Sequence, residues 1–386
     1  MTLEDGKSLL FLVVDDQFNV RRMVQNFLRT FGYTKIIDAP DGEKAWEKAK
    51  GEDVGFVICD WNMPNLNGLG FLRRVRADQR LKDVPFLMVT AEVAEEIVAE
   101  AIEEGVDGYI VKPFQAKTLV DKVEAILEKR RTPQPLDIHL SQGAELLKKG
   151  LAQEALGEYE SALELAPQSP RALVAAGEAL EALGRDQEAL DRYQGAVKLA
   201  KRYVRGHDRL GALYRRLGQT EQASKHLQVA AAISPRNVRR QVEVGRMLIE
   251  QGDTGKGLAA LKAASDNAGD NAALAEEMGE ILLSAGLNDD AARAFSKAVR
   301  LDPAKVHIYN RLGIAYRRQK RYAEAIREYQ RALLVKPDDE NLHYNLAVAQ
   351  AEAGQFGPAK ETLAQALKLR SDFVEARELL ARLEKA

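Results

Sequence analysis

The sequence predicts two folds in tandem: an α/β doubly wound five-stranded parallel sheet, then an all-α superhelical solenoid. Three observations carry this. Short apolar runs alternate with amphipathic stretches up to about residue 130. A Pro-containing junction, Thr132-Pro133-Gln134-Pro135, follows. Beyond it, small residues return every 34 positions without a gap.

The strands are expected at Leu9–Val14, Lys35–Asp38, Val54–Asp60, Pro85–Thr90 and Gly108–Val111. Helices are expected near Phe18–Phe31, Gly42–Lys50, Gly68–Ala77, Ala94–Glu104 and Gln115–Arg130. Strands interleaved with helices make a parallel sheet covered on both faces, and ligands of such sheets sit beyond the carboxyl ends of the strands. Those ends carry Asp15 and Asp16, Asp60, Thr90, and Lys112-Pro113. Prolines in the junction resist helix continuation and hold the chain extended.

After the junction the period is explicit. Gly143, Gly177, Gly211, Gly245, Gly279, Gly313 and Ala347 form one series, and Ala162 to Ala366 form another in the same steps. Tyr159, Tyr193, Leu227, Leu261, Phe295, Tyr329 and Leu363 form a third. Small residues let two helices approach, and the aromatic or Leu fills the space between them. One such unit cannot bury its apolar face alone, so neighbours must stack. The pattern resembles the tetratricopeptide repeat family. With the α/β part before it, the pattern divides the chain into a first domain over 1–131, a linker over 132–135, seven repeats over 136–373 and a capping helix over 374–386. The repeat-ending proline is missing at Lys201, Gly269 and Ser371.

Composition excludes several classes. The 386 residues are 46% hydrophobic and 30% charged, with a net charge of −2. Up to Arg131 there are 19 basic against 23 acidic residues, and 37 against 35 after it. Neither part has the basic excess of a DNA binder, and no reading helix is recognisable. Leu9–Val14 is too short to span a membrane. Cys59 is the only cysteine, so no intrachain disulfide can form, and a reducing cytoplasm is the expected setting. As a core residue inside a strand, it is not read as a redox group.

Three carboxylates at one sheet edge repel by several kcal/mol, about 4 at an effective dielectric of 20 and ~4 Å separation. They call for a cation, and hard carboxylate oxygens favour Mg²⁺. Lys112 adds a fixed positive charge and Thr90 a hydroxyl. Together these surround a place for a phosphoryl group.

Val13-Val14-Asp15-Asp16, Ile58-Cys59-Asp60-Trp61-Asn62-Met63-Pro64, Met88-Val89-Thr90-Ala91 and Gly108-Tyr109-Ile110-Val111-Lys112-Pro113-Phe114 resemble the response regulator receiver family, nearest its chemotaxis branch. The resemblance implies that Asp60 is the phosphoacceptor. It implies that Asp15 and Asp16 hold Mg²⁺ with Asp60 and the Asn62 carbonyl. Lys112 and Thr90 would contact phosphoryl oxygens. Tyr109 would turn inward when Thr90 moves, and Asn62 and Glu92 would tune hydrolysis. The stretch Ala94-Glu95-Glu96 departs from the Lys-rich helix with which chemotaxis members meet a flagellar-motor target.

The repeats carry no nucleophile–base pair, metal cluster or phosphate loop. Arg205, Arg209, Arg215, Arg216, Arg239, Arg246 and Arg317 fall on the expected inner face, which predicts capture of an acidic or mixed-charge protein segment. The expected function is a two-component response regulator, phosphorylated on Asp60 by a sensor histidine kinase, with the repeats as a protein-binding adaptor. It is not an enzyme beyond its own phosphorylation and dephosphorylation. The alternative is a phosphate sink that drains a chemosensory kinase, the repeats only localising it. Expected partners are the kinase and a protein or peptide in the groove, with a second receiver copy as an option; no DNA and no membrane insertion are expected.

Overall fold

The structure is a computed structural model that describes residues 8–91 and 104–385. It divides into two units, Met1–Asn237 and Val238–Ala386. The division falls between the third and fourth repeats rather than at the proline junction.

The first unit opens with β1 (Leu10–Val14), α1 (Phe18–Thr30), β2 (Ile36–Ala39), α2 (Gly42–Gly51), β3 (Val54–Asp60), α3 (Gly68–Ala77), β4 (Phe86–Thr90), β5 (Gly108–Val111) and α4 (Ala116–Arg131). All pairings are parallel, in the order β2-β1-β3-β4-β5. The helix expected over Ala94–Glu104 lies, but for its last residue, outside the described residues, as does Glu92. Alternate strand residues face opposite sides of a sheet. Accordingly Leu12, Val14, Val57, Cys59 and Met88 pack with Ala45, Phe71 and Leu72 of α2 and α3. Phe11, Val13, Ile58 and Val89 pack with Val24, Leu28, Leu119 and Val123 of α1 and α4. Both faces are buried, which is why the strands read as continuous apolar runs.

Helix caps fix where the loops leave the sheet. Asp41 accepts from the Lys44 amide, and Asn67 accepts from the Gly70 amide at 2.8 Å. A Cβ at Gly68 would collide with the Asp60 carbonyl oxygen, so the start of α3 sits directly on the end of β3.

After α4 the chain breaks for three residues, and Pro135 stands in the first turn of α5 (Pro135–Lys148), where its missing N–H costs nothing. The Lys129 ammonium lies 3.8 Å from the Asp137 carboxylate across that break, and Arg171 reaches Asp137 at 3.0 Å. The first unit continues with α6 (Ala152–Leu165), α7 (Pro170–Ala182), α8 (Asp186–Leu199), α9 (Val204–Arg216) and α10 (Thr220–Ile233).

The second unit holds α11 (Val238–Glu250), α12 (Thr254–Ala268), α13 (Ala272–Ser284), α14 (Asn288–Leu301), α15 (Val306–Arg318), α16 (Tyr322–Val335), α17 (Glu340–Glu352), α18 (Phe356–Leu369) and α19 (Val374–Lys385). The helices from α5 to α18 pair as seven hairpins. In six of them the series glycine packs on the third-series residue of its partner helix: a Cβ at Gly143, Gly177, Gly211, Gly245, Gly279 or Gly313 would press into Tyr159, Tyr193, Leu227, Leu261, Phe295 or Tyr329.

The hairpin turns need a positive φ. Gly150, Gly184, Gly218, Gly252, Gly286 and Gly354 supply it at 73° to 85°. In the sixth repeat the equivalent residue is Lys320, at φ 59°. A Cβ there is strained. Lys320→Gly should therefore raise stability by about 0.5 kcal/mol, the relief of strain exceeding the added chain entropy of glycine. The check is a urea midpoint that moves upward.

Candidate functional site

The carboxyl ends of the strands gather a small charged cluster. Asp15, one residue past β1, is 3% exposed, Asp60 at the end of β3 is 6% exposed and Thr90 at the end of β4 is 2% exposed. Parallel pairing sets Asp60 beside Val89 and Thr90 beside Val111, so Lys112 leaves β5 next to them. The Lys112 amide donates to the Thr90 carbonyl at 2.7 Å. Its ammonium bridges two carboxylates, Asp15 Oδ2 at 2.7 Å and Asp60 Oδ1 at 2.5 Å.

The remaining carboxylate oxygens are also held. The Gln17 amide donates to Asp15 Oδ1 at 2.9 Å, and the Asn62 amide donates to Asp60 Oδ2 at 3.1 Å. Arg21 ties the loop down, donating to the Asp15 carbonyl and pairing with Asp38 at 2.7 Å. Burial pushes the Asp60 carboxyl above its ordinary range, and the Lys112 ammonium opposes that push. Burial also works against the Lys112 charge, yet the two carboxylates prevail and hold its pKa above that of a free lysine. A buried, electron-rich oxygen thus faces the solvent edge beside a fixed cation. Burial pushes the Cys59 thiol well up, so it stays protonated and inert.

The structure does not gather all the residues named from the sequence. Asp16 is exposed at the rim, and no group of three or more His, Cys, Asp or Glu gathers as a metal cluster among the described residues. The expected triad of carboxylates is therefore a bridged pair with a third beside it. The donors still suit a hard cation: they are all oxygens, from Asp15, Asp60, the Asn62 carbonyl and Asp16 at the rim. Asn62 is exposed, and Tyr109 is 37% exposed with the Lys122 ammonium 5.9 Å from its ring centroid. Glu92 lies outside the described residues.

The arginines named from the repeats are mostly engaged. Arg205 and Arg209 both hold Glu178, each at 2.7 Å. Arg216 holds Asp186 and Glu181, Arg246 holds Glu277 at 2.8 Å, and Arg317 holds Glu352 at 2.8 Å. Arg215 is also partnered. Arg239 is exposed and makes no ion pair among the described residues. These bonds join one repeat to the next, so most of the expected arginine surface is neutralised within the scaffold.

Sequence reasoning also missed a histidine pair. His207 and His226 meet at 3.1 Å between their Nδ1 atoms, and His207 Nε2 contacts the Lys201 carbonyl at 3.0 Å. The carbonyl accepts, so neutral His207 is protonated on Nε2 and accepts from His226 at Nδ1. Burial first, and then the neighbouring His207 ring, push His226 down to about 4. A histidine depressed in the folded state contributes stability above the ordinary value near 6.5, lost as pH falls. Between pH ~7.5 and ~5 the loss is about 2 kcal/mol. Urea midpoints at both pH values should show it in the native chain and not in His226→Gln.

Comparison with known proteins agrees with both parts. The response regulator receiver domain model matches residues 11–124. Tetratricopeptide repeat models match 140–203, 276–341 and 316–383. The chain is 46% identical over 124 residues to chemotaxis protein CheY-3 of Vibrio cholerae, covering 32% of this chain and 95% of the relative. It is 46% identical over 118 residues to chemotaxis protein CheY of Pseudomonas aeruginosa, covering 31% and 95%. Among solved structures, CheY4 of Vibrio cholerae aligns at 35% identity and a TM-score of 0.30, over 31% of this chain and 98% of that one. A tetratricopeptide repeat protein from Parabacteroides merdae aligns at 16% identity and a TM-score of 0.41, over 65% and 99%.

Proposed function

The chain belongs to the response regulator receiver family, with tetratricopeptide repeats behind the receiver, and on that premise we propose that it is a phosphorylation-dependent adaptor. A sensor histidine kinase is the donor, and the repeats hold a protein partner. The observation that carries this reading is the Lys112 bridge between Asp15 and Asp60.

The chemistry follows from the bridge. An Asp60 carboxylate oxygen attacks the phosphorus of a phosphohistidine. The P–N bond breaks, an acyl phosphate forms, and imidazole leaves with the bonding pair. The Asn62 amide orients the carboxylate. Lys112 is already fixed by Asp15, so its charge needs no reorganisation to meet the incoming phosphoryl oxygens. Asp15, Asp60, the Asn62 carbonyl and Asp16 would hold Mg²⁺, which supplies further charge against those oxygens. The chain acts on itself alone and is not an enzyme for another substrate.

Transmission to the repeats has a short path. Helix α4 packs on the same sheet and ends three residues before α5, with Lys129 facing Asp137. Capture of partners from cell extract, with Mg²⁺ and acetyl phosphate, tests the reading. The native chain should gain or lose a partner on adding the donor, and Asp60→Asn should not respond. A donor-induced change that persists in Asp60→Asn sinks the proposal. A short acyl-phosphate lifetime with no change in any partner would favour the sink instead.

A further inference from the structure

The second unit contains a cavity of about 760 Å³ between α11 and α13, the first helices of the fourth and fifth repeats. Its size is that of a ligand site. Where other repeats carry alanine, α12 has Gly257, and a Cβ there would meet the Gly245 carbonyl oxygen at 2.9 Å. Helices α11 and α12 therefore close tightly on each other.

The walls are of two kinds. Ile249, Ile281 and Leu287 give an apolar surface, with Ala273 and Ala285 beside them. Glu250, Glu276, Glu277 and Glu280 face the same space, against the single cation Arg246. That cation is committed to Glu277 at 2.8 Å. Its Nε is buried and has no acceptor, so the guanidinium can turn toward an incoming carbonyl without breaking a hydrogen bond there. Glu276 is met by Lys305 at the end of its own repeat and by His307 of the next, and Glu280 by Arg311 of the next. Glu250 is exposed and carries no ion pair among the described residues.

We infer that this cavity receives a lysine- or arginine-bearing protein segment, a partner class opposite in sign to the one the repeat arginines suggest from sequence. The inference deepens the adaptor reading and rests on it. The alkyl stem of a basic side chain lies along Ile249, Ile281 and Leu287 while its head reaches the carboxylates. Glu250 gains the counter-charge it lacks. An acidic segment would meet Glu250 unpaired, beside three carboxylates whose cations are already engaged. A wholly apolar segment would desolvate Glu250 without a partner.

Two fluorescein-labelled peptides, one with a Leu-Arg-Leu-Lys core and one with a Leu-Glu-Leu-Asp core, test this against the full chain by anisotropy. The basic peptide should bind at least about tenfold more tightly, and salt should narrow the difference. Glu250→Lys, at an exposed position, should keep the fold and abolish the preference. Circular dichroism checks the fold, and Glu280→Gln gives a milder loss as a second variant. The inference is overturned if the acidic peptide binds as well, if neither binds, or if Glu250→Lys binds the basic peptide like the native chain. Phosphoryl uptake at Asp60 and donor-dependent partner capture are read separately, so the phosphorylation reading stands or falls without either peptide.

Discussion

Asp60→Asn should reduce phosphoryl uptake from a small donor at least about 1,000-fold, to background, and at neutral pH should make the receiver more stable. The first effect is chemical. An amide oxygen at this position is a poor nucleophile and carries no charge for Lys112 or a metal to organise. The second effect comes from burial. Asp60 is 6% exposed, and its carboxyl is pushed above the ordinary range, chiefly by burial and against the pull of Lys112. A carboxyl whose folded pKa is raised favours the fold at low pH, and that favour is lost as pH rises through the folded value. Near neutrality the charged form therefore costs stability. The amide removes that cost, so the urea midpoint should rise. Lys112 keeps Asp15 at 2.7 Å and is not left unpaired. The gain in urea midpoint should shrink as pH falls toward the ordinary carboxylate range. A variant less stable than the native chain at neutral pH would contradict this account of the site's electrostatics.

Gly313→Ala and Gly157→Ala should move stability in opposite directions. On an exposed helix, Ala is better than Gly by about 1 kcal/mol. Gly157 stands in α6, exposed, with no atom within 4 Å of where a Cβ would lie, so the change there should stabilise by nearly that amount. Gly313 stands in α15, buried against Tyr329. A Cβ would come within 2.5 Å of that ring, which is itself fully buried. The ring has no free space to move into, so α15 and α16 must separate. Overpacking of this kind costs about 1–3 kcal/mol, enough to reverse the helix preference. Hydrogen exchange should accelerate in α15 and α16 and leave the receiver strands unchanged. Equal and favourable effects of both substitutions would remove the physical reason for the glycine series.

Much of this architecture is legible in the chain. Strands such as Val54–Asp60 and Gly108–Val111 coincide with their apolar runs, because a sheet buried on both faces leaves no polar alternation to blur them. The repeat is legible because a helix hairpin must place its small and large residues at fixed positions. The Lys112 bridge follows from parallel strands ending together. What sequence reasoning missed lies one level higher. Asp15 and Asp16 are neighbours in sequence, yet the first is buried and the second exposed. The groove arginines look free one repeat at a time, yet their partners sit in the adjacent repeat. A signal existed: Glu178 and Arg209, Arg246 and Glu277, and Glu280 and Arg311 are all 31 residues apart, one repeat less one helical turn. With those charges cancelled, the excess that decides partner sign is the carboxylate at Glu250, which no motif marks. Lys320 is marked only by period, as the one interruption in the 34-residue series of turn glycines from Gly150 to Gly354.

The central claim is that a cation-flanked Asp60 accepts a phosphoryl group. Incubating the full chain with ³²P-labelled acetyl phosphate, with and without Mg²⁺, and mapping the label by mass spectrometry tests it most directly. The account predicts Mg²⁺-dependent incorporation approaching one group per chain, labile to hydroxylamine as an acyl phosphate is, and located on the peptide that contains Asp60. Incorporation that is indifferent to Mg²⁺, stable to hydroxylamine, or located elsewhere in the chain would contradict it.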